Sequence, residues 1–293
     1  MAIFTGSGVA IITPFKEDLS VDYEQLRKLI DFQIENGVND FVLFGTTGEG
    51  SLLSLKEKLK VTKLILNRYK KSNFIIGISN ISSIDTCKEI KKFNDLNIKG
   101  YLVLTPYYIS TNDKGLYKYF KNVNNVTKHP IYIYQIKKRT GQDFNLNILE
   151  SCLNLKNIKG VKYSTNFEDV RVLNDFRKDN SYEIYLGNDE DLINGLNISL
   201  NGIISVISNI FPKQIKNIIE LHQNGDVDTS ANLFKGYDEF LSLLYKEINP
   251  LGVKYVLHLK GMIKEIYLDP LYGLTYKIKS KLKKKYQEIN NEN

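Results

Sequence analysis

Eight times along this chain a short apolar run of strand character is followed by a stretch of helical periodicity, and few architectures accommodate that alternation. The runs occupy residues 8–12, 41–44, 74–78, 101–104, 131–134, 158–162, 184–186 and 202–206. Strands that are apolar throughout are buried on both faces, and right-handed strand-to-helix crossovers arrange them in a parallel sheet. Eight such units favour closure. A doubly wound sheet usually has fewer and often carries G-x-G-x-x-G after its first strand, a pattern this sequence lacks there. The expectation is an α/β fold, a (β/α)8 TIM barrel over residues 1–225 with a C-terminal helical extension over 226–293. In that extension Tyr237, Phe240, Leu241 and Leu244 keep helical spacing. A barrel of about 250 residues with a short addition accounts for the length of 293; two smaller domains are the alternative.

Local punctuation supports the alternation. Asp22 with Gln25 three positions on opens a helix whose Leu26, Leu29, Ile30 and Ile34 share a face, and Asn36-Gly37 closes it. The second strand runs into the glycine-rich turn Gly45-Thr46-Thr47-Gly48-Glu49-Gly50, after which Ser54 and Glu57 form a capping box for a helix carrying Val61, Leu64 and Ile65.

Composition narrows the chemistry. Apolar residues at 42% and charged residues at 25% exclude collagen-like, disordered and disulfide-scaffold classes. The two cysteines, Cys87 and Cys152, lie far apart without C-x-x-C and read as reduced core residues. His129, His222 and His258 are scattered, which removes the commonest zinc arrangement and gives no local support for Ser-His-Asp chemistry. The net charge of +7 is carried almost entirely by lysine, with Arg27, Arg68, Arg139, Arg171 and Arg177 the only arginines, so base readout in nucleic acid is not expected. The densest basic run, residues 277–285, reads as the solvated face of a last helix anchored by Ile278 and Leu282. No apolar run reaches the roughly 18 residues that span a bilayer, and no basic stretch precedes an apolar one at the start, so a cytoplasmic location without membrane partners is expected.

Barrel enzymes collect their chemistry at the carboxyl ends of the strands. Here those ends carry the Gly45–Gly50 turn, Thr105-Pro106-Tyr107-Tyr108, Tyr134, Lys162, Gly187 and Ser205. Lys162 closes an apolar strand where loss of water favours the neutral amine, a nucleophile that forms a Schiff base with a ketone; the competing reading is a solvated strand-end lysine. Tyr134 ends the preceding strand, and parallel neighbours about 4.8 Å apart would bring its phenol to that amine as a proton carrier; otherwise it is a core aromatic. The turn at 45–50 offers backbone N–H groups and two hydroxyls to a small carboxylate, or is simply a turn. With Arg139, the set suits a 2-keto acid.

These features in order resemble the dihydrodipicolinate synthase and N-acetylneuraminate lyase family of Schiff-base aldolases. The likeness starts at Phe4-Thr5-Gly6-Ser7-Gly8-Val9-Ala10-Ile11-Ile12-Thr13-Pro14-Phe15, passes through Gly45-Thr46-Thr47-Gly48-Glu49 and Thr105-Pro106-Tyr107-Tyr108, and ends at Asn249-Pro250-Leu251-Gly252-Val253-Lys254. The resemblance implies a lyase joining pyruvate to aspartate 4-semialdehyde on the route to lysine and diaminopimelate. It implies Lys162 as the Schiff-base lysine, with Tyr134 relaying protons through Thr46 to Tyr108. Thr47 and Gly45 would hold the pyruvate carboxylate and Arg139 that of the semialdehyde, while Gly187 and Ile204 would present backbone near the amine. Tyr108 would reach into a neighbouring subunit, implying a tight dimer paired into a homotetramer. No metal or organic cofactor is implied, because the iminium itself is the electron sink.

Departures are local. Gln135-Ile136-Lys137-Lys138 stands where the synthases usually read Asn-Val-Pro and a small residue, and Tyr163-Ser164 stands where they commonly have Glu-Ala. These leave open a related aldolase cleaving a sugar-derived 2-keto acid, and a non-catalytic member that binds a small acid. Positions that bind inhibitory lysine in many synthases carry Leu55, Lys58 and Ile81 beside Tyr107 and Asp85, so feedback inhibition is expected to be weak or absent.

Overall fold

The computed structural model describes residues 3–177 and 181–292. Its first half runs β1 (Gly6–Ala10), α1 (Tyr23–Glu35), β2 (Asp40–Leu43), α2 (Leu55–Arg68), β3 (Asn73–Ile78), α3 (Ser83–Phe93), β4 (Gly100–Leu104) and α4 (Asp113–Asn124). The second half continues with β5 (Ile131–Gln135), the single turn α5 (Lys137–Thr140), α6 (Leu146–Leu153), β6 (Ile158–Tyr163), α7 (Phe167–Phe176), β7 (Glu183–Leu186), α8 (Leu192–Asn197), β8 (Gly202–Ser205) and α9 (Pro212–Gln223). Four helices follow, α10 (Val227–Lys235), α11 (Asp238–Leu244), α12 (Leu251–Leu259) and α13 (Tyr276–Glu292).

The strands form a closed barrel in which every sequential pair is parallel, and β1 meets β8 from Gly6↔Gly202 to Val9↔Ser205. Both strand faces are covered, which is why the apolar runs are continuous rather than alternating. The expected first strand, 8–12, is shifted toward its start. Ile11 N–H still bonds the Val42 carbonyl at 3.2 Å, but the Ile12 N–H is taken by Asn209 Oδ1 at 3.2 Å, and the chain leaves the sheet there.

The helix signals hold with two corrections. Asp22 caps α1 by accepting from Gln25 N, and Ser54 caps α2 by accepting from Glu57 N. The capping box is only half made, because the Tyr23 hydroxyl captures the Glu57 carboxylate that would have returned to Ser54. Leu64 is half exposed, since the buried stripe of α2 is Lys58, Val61, Thr62 and Ile65.

Beyond α9, Phe240, Leu241, Leu244, Val253, Val256 and Leu282 join the same buried apolar cluster as the barrel strands. In the lysine-rich α13, Lys277, Lys281, Lys283 and Lys284 are exposed while Lys279 pairs with Glu265 and Lys285 with Glu239. Among the described residues no helix is long and apolar enough to cross a membrane.

Candidate active site

Adjacent strand ends bring the expected pair together. Tyr134 of β5 is in register with Lys162 of β6, and Lys162 Nζ lies 4.5 Å from the centre of the Tyr134 ring. Lys162 is only 4% exposed and Tyr134 is equally buried. Ser164, two residues beyond Lys162, projects to the same side. Its hydroxyl oxygen is buried without a hydrogen-bond partner among the described residues. Gly187, just past β7, closes over both. A Cβ there would lie 1.6 Å from Ser164 Oγ and 2.9 Å from Lys162 Cε, so only glycine leaves the lysine side chain its place.

The turn after β2 forms the opposite wall. Gly48 and Gly50 N–H groups bond the Gly45 carbonyl, and Glu49 N–H bonds the Thr46 carbonyl. Those internal bonds leave out the N–H groups of Gly45, Thr46 and Thr47, the start of the expected cradle. The fold-back demands glycine at position 50, where a Cβ would fall 1.8 Å from the Phe44 carbonyl oxygen. Glu49, in a left-handed conformation with φ 54°, turns its carboxylate inward to the Lys254 ammonium of α12.

Asn249 joins this wall to Arg139. Its Nδ2 donates to Thr47 Oγ1 at 2.9 Å, and its carbonyl accepts from Arg139 Nη2 at 2.6 Å. Burial pushes the Arg139 guanidinium down from its ordinary value, opposed by the nearby Tyr134.

A cavity of two lobes, about 720 Å³ and about 310 Å³, opens between these walls, with Thr46, Tyr134, Arg139 and Asn249 lining both. Lys162, Thr47 and Gly187 line the larger lobe. Gly45 lines the smaller, whose wall is mostly apolar through Phe44, Ile78, Leu102 and Leu104. Lys137 and Lys138 share the rim of the larger lobe with Glu190 and Glu247. Burial raises the Glu190 carboxyl, its acidic neighbours Asp191 and Asp189 add to this, and Lys138 opposes it.

Two expected residues lie apart from this group. Ile204 sits within β8, and Val206, two residues on, forms the wall instead. Tyr108 is 86% exposed, with φ 67°, and lies outside both lobes of its own chain. Among the described residues no hydrogen bond links the hydroxyls of Tyr134, Thr46 and Tyr108, so the single chain does not make the expected proton path.

The sequence reading did not single out Asp189 or Tyr245. The buried Asp189 carboxylate accepts from Val206 N at 3.1 Å, Ile207 N at 2.8 Å and the Tyr245 hydroxyl, fixing the chain as it leaves β8. Burial drives the Tyr245 phenol well above its ordinary value, and the Asp189 charge adds to this. An acidic residue two positions past a strand-end glycine is the one local signal, and it does not identify its partners.

A sequence profile described as the Dihydrodipicolinate synthetase family matches residues 3–289. The 4-hydroxy-tetrahydrodipicolinate synthase of Caldicellulosiruptor saccharolyticus is 34% identical over 286 residues, covering 97% of this chain and 96% of that protein. Among solved structures, dihydrodipicolinate synthase from Aquifex aeolicus superposes with a TM-score of 0.93 at 29% identity, covering 98% of both chains. The chloride-inhibited dihydrodipicolinate synthase from Acinetobacter baumannii, solved as its pyruvate complex, also gives 0.93, at 30% identity over 98% of this chain and 99% of that one.

Proposed function

We propose that this chain, which belongs to the dihydrodipicolinate synthetase family, condenses pyruvate with L-aspartate 4-semialdehyde to 4-hydroxy-tetrahydrodipicolinate in lysine biosynthesis, through a Schiff base on Lys162. The observation that carries the mechanism is the buried Lys162 amine against the Tyr134 ring, in a cavity whose other walls offer hydroxyls, backbone N–H groups and a guanidinium. The Lys162 amine attacks the ketone carbon of pyruvate, and water leaves as the iminium forms. Loss of a methyl proton gives the enamine, which adds to the aldehyde carbon of the second substrate. Attack by that substrate's own amino group on the iminium closes the ring and frees Lys162.

Tyr134 is the proton carrier for these steps, placed by its register with Lys162. Thr47 and the turn beginning at Gly45 receive the pyruvate carboxylate, and Arg139 receives the carboxylate of the semialdehyde. Gly187 keeps the space beside the amine open. No cofactor takes part in this scheme. Tyr108, exposed on its own chain, completes the Thr46 and Tyr134 hydroxyl path of a neighbouring subunit in a cytoplasmic homotetramer built as a dimer of dimers.

The test is reductive trapping. Pyruvate with borohydride should add a covalent mass to the peptide containing Lys162, and Lys162→Ala should abolish it. Offering aspartate semialdehyde against 2-keto-3-deoxygluconate or N-acetylneuraminate in coupled assays fixes the reaction partner. A label on another lysine would overturn the mechanism, and turnover of a sugar acid alone would overturn the substrate.

A further inference from the structure

We propose that Gln135 is the positioning residue that holds Arg139 in place for the second substrate's carboxylate, an inference that rests on the reading of Arg139 just given. Arg139 sits in α5, a helix of a single turn between β5 and α6. One turn of helix does not sustain itself, because its few hydrogen bonds do not repay the ordering of its backbone. The chain here reads Gln135-Ile136-Lys137-Lys138, with no proline to restrict it. Something else must hold it.

The Gln135 side chain closes the base of this excursion. Gln135 is the last residue of β5 and is 0% exposed. Its Nε2 donates to the Gln142 carbonyl at 3.0 Å, so the residue that enters the excursion is stapled to the one that leaves it. Its Oε1 accepts from Thr105 Oγ1 at 3.1 Å, hooking the staple to the buried end of the neighbouring strand β4. Gln142 in turn donates through Nε2 to the Thr111 carbonyl at 2.6 Å. Inside the staple, the Arg139 and Thr140 N–H groups both bond the Ile136 carbonyl at 3.0 Å, and Gly141 N–H bonds that of Lys137 at 2.8 Å.

Only a primary amide of this length supplies both the donor and the acceptor. Glutamate keeps the length and the acceptor but loses the donor, and methionine keeps only the shape. Among the described residues the Arg139 head group has one hydrogen-bonded anchor outside the excursion, the Asn249 carbonyl, so a loosened base lets its backbone drift while the tip stays tethered. Lys162 is held by the β5 and β7 ladders and does not depend on the staple. The loss should therefore fall on the second substrate and spare the first.

The experiment compares Gln135→Met, Arg139→Leu and the double variant by steady-state kinetics and by pyruvate trapping with borohydride. Gln135→Met should raise KM for aspartate semialdehyde about tenfold, the equivalent of about 1.4 kcal/mol. Its pyruvate KM and trapping should stay within about twofold of the parent. In the Arg139→Leu background the same substitution should add nothing, because residues acting as one unit are not additive. Gln135→Asn, which keeps the amide but shortens its reach, should raise the same constant and serves if the methionine variant does not fold. An equal rise in pyruvate KM, additive effects with Arg139→Leu, or a parental semialdehyde KM for both Gln135 variants overturns the proposal. If Arg139→Leu itself leaves that KM unchanged, the carboxylate assignment falls and takes the proposal with it. An effective Arg139→Leu beside inert Gln135 variants overturns the staple alone.

Discussion

Replacing Lys254 by methionine removes a cation that solvent does not reach. Lys254 is 0% exposed, and its ammonium donates to Glu49 Oε1 and, at 2.7 Å, to the Ile266 carbonyl. It also lies 4.3 Å from the centre of the Phe15 ring. The second Glu49 oxygen accepts from Leu268 N at 2.9 Å, so this one pair ties the turn after β2 to α12 and the chain beyond it. Methionine fills most of the same aliphatic volume and leaves the Glu49 carboxylate buried without its cation. Removing one partner of such a pair costs about 3–5 kcal/mol, a large part of a total stability of about 5–15 kcal/mol. For a chain of 293 residues that lowers the melting temperature by roughly 5–8 °C.

The loss should depend on pH. Burial already holds the Glu49 carboxyl above its ordinary value against the pull of Lys254, and without the ammonium it rises further. Below the unfolded value of about 4.3 the carboxyl is protonated in both states and adds no penalty. As pH rises through the raised folded value, the unfolded chain releases its proton more readily and the variant loses stability. The gap between variant and parent should thus be smaller near about pH 5 than near about pH 8 in urea titrations. Glu49→Gln combined with Lys254→Met should recover part of the loss. A single-variant cost under about 1 kcal/mol, or one that is flat with pH, would refute the electrostatic account.

Two further outcomes follow from the geometry. Gly187→Ala puts a methyl 1.6 Å from Ser164 Oγ and 2.9 Å from Lys162 Cε; a shift of about 1 Å in a reacting group costs about 10²-fold in turnover, so kcat should fall by that order, beside an overpacking cost of about 1–3 kcal/mol in stability. Adding Ser164→Ala removes the nearest clash and should restore part of the rate; parental turnover in Gly187→Ala would contradict the packing argument. At the positions associated with lysine inhibition, the Lys58 ammonium is already paired with buried Glu89 at 2.9 Å, whose other oxygen accepts from Asn80 at 2.6 Å. A second cation there meets a carboxylate that is already satisfied, so millimolar L-lysine should leave initial rates unchanged; saturable inhibition at lower concentrations would show the reading to be wrong.

The barrel was legible because its signals are local. Apolar runs, helix caps such as Asp22 and stop signals such as Gly37 each act within a few residues, and they place the eight strands to within a residue or two of where they lie. The adjacency of Tyr134 and Lys162 was legible for the same reason, since consecutive strands of a parallel barrel place their ends side by side. The Leu64 and Glu57 readings missed because the buried stripe of α2 runs through the polar Lys58 and Thr62 instead of Leu64, and because Tyr23 of another helix took the carboxylate.

Taken alone, the sequence determined the strand and helix order, the closure and the pair of side chains at the centre of the cavity, all consequences of periodicity and of chain order. Tertiary structure alone decided that Asn249 links Thr47 to Arg139, that Asp189 pins the exit of β8, and that Lys254 meets Glu49 across 205 positions. It also moved the wall from Ile204 to Val206 and left Tyr108 outside its own cavity. The physical reason is range: a hydrophobic period is written in neighbouring residues, whereas a buried polar group takes whichever partner barrel closure brings within about 3 Å.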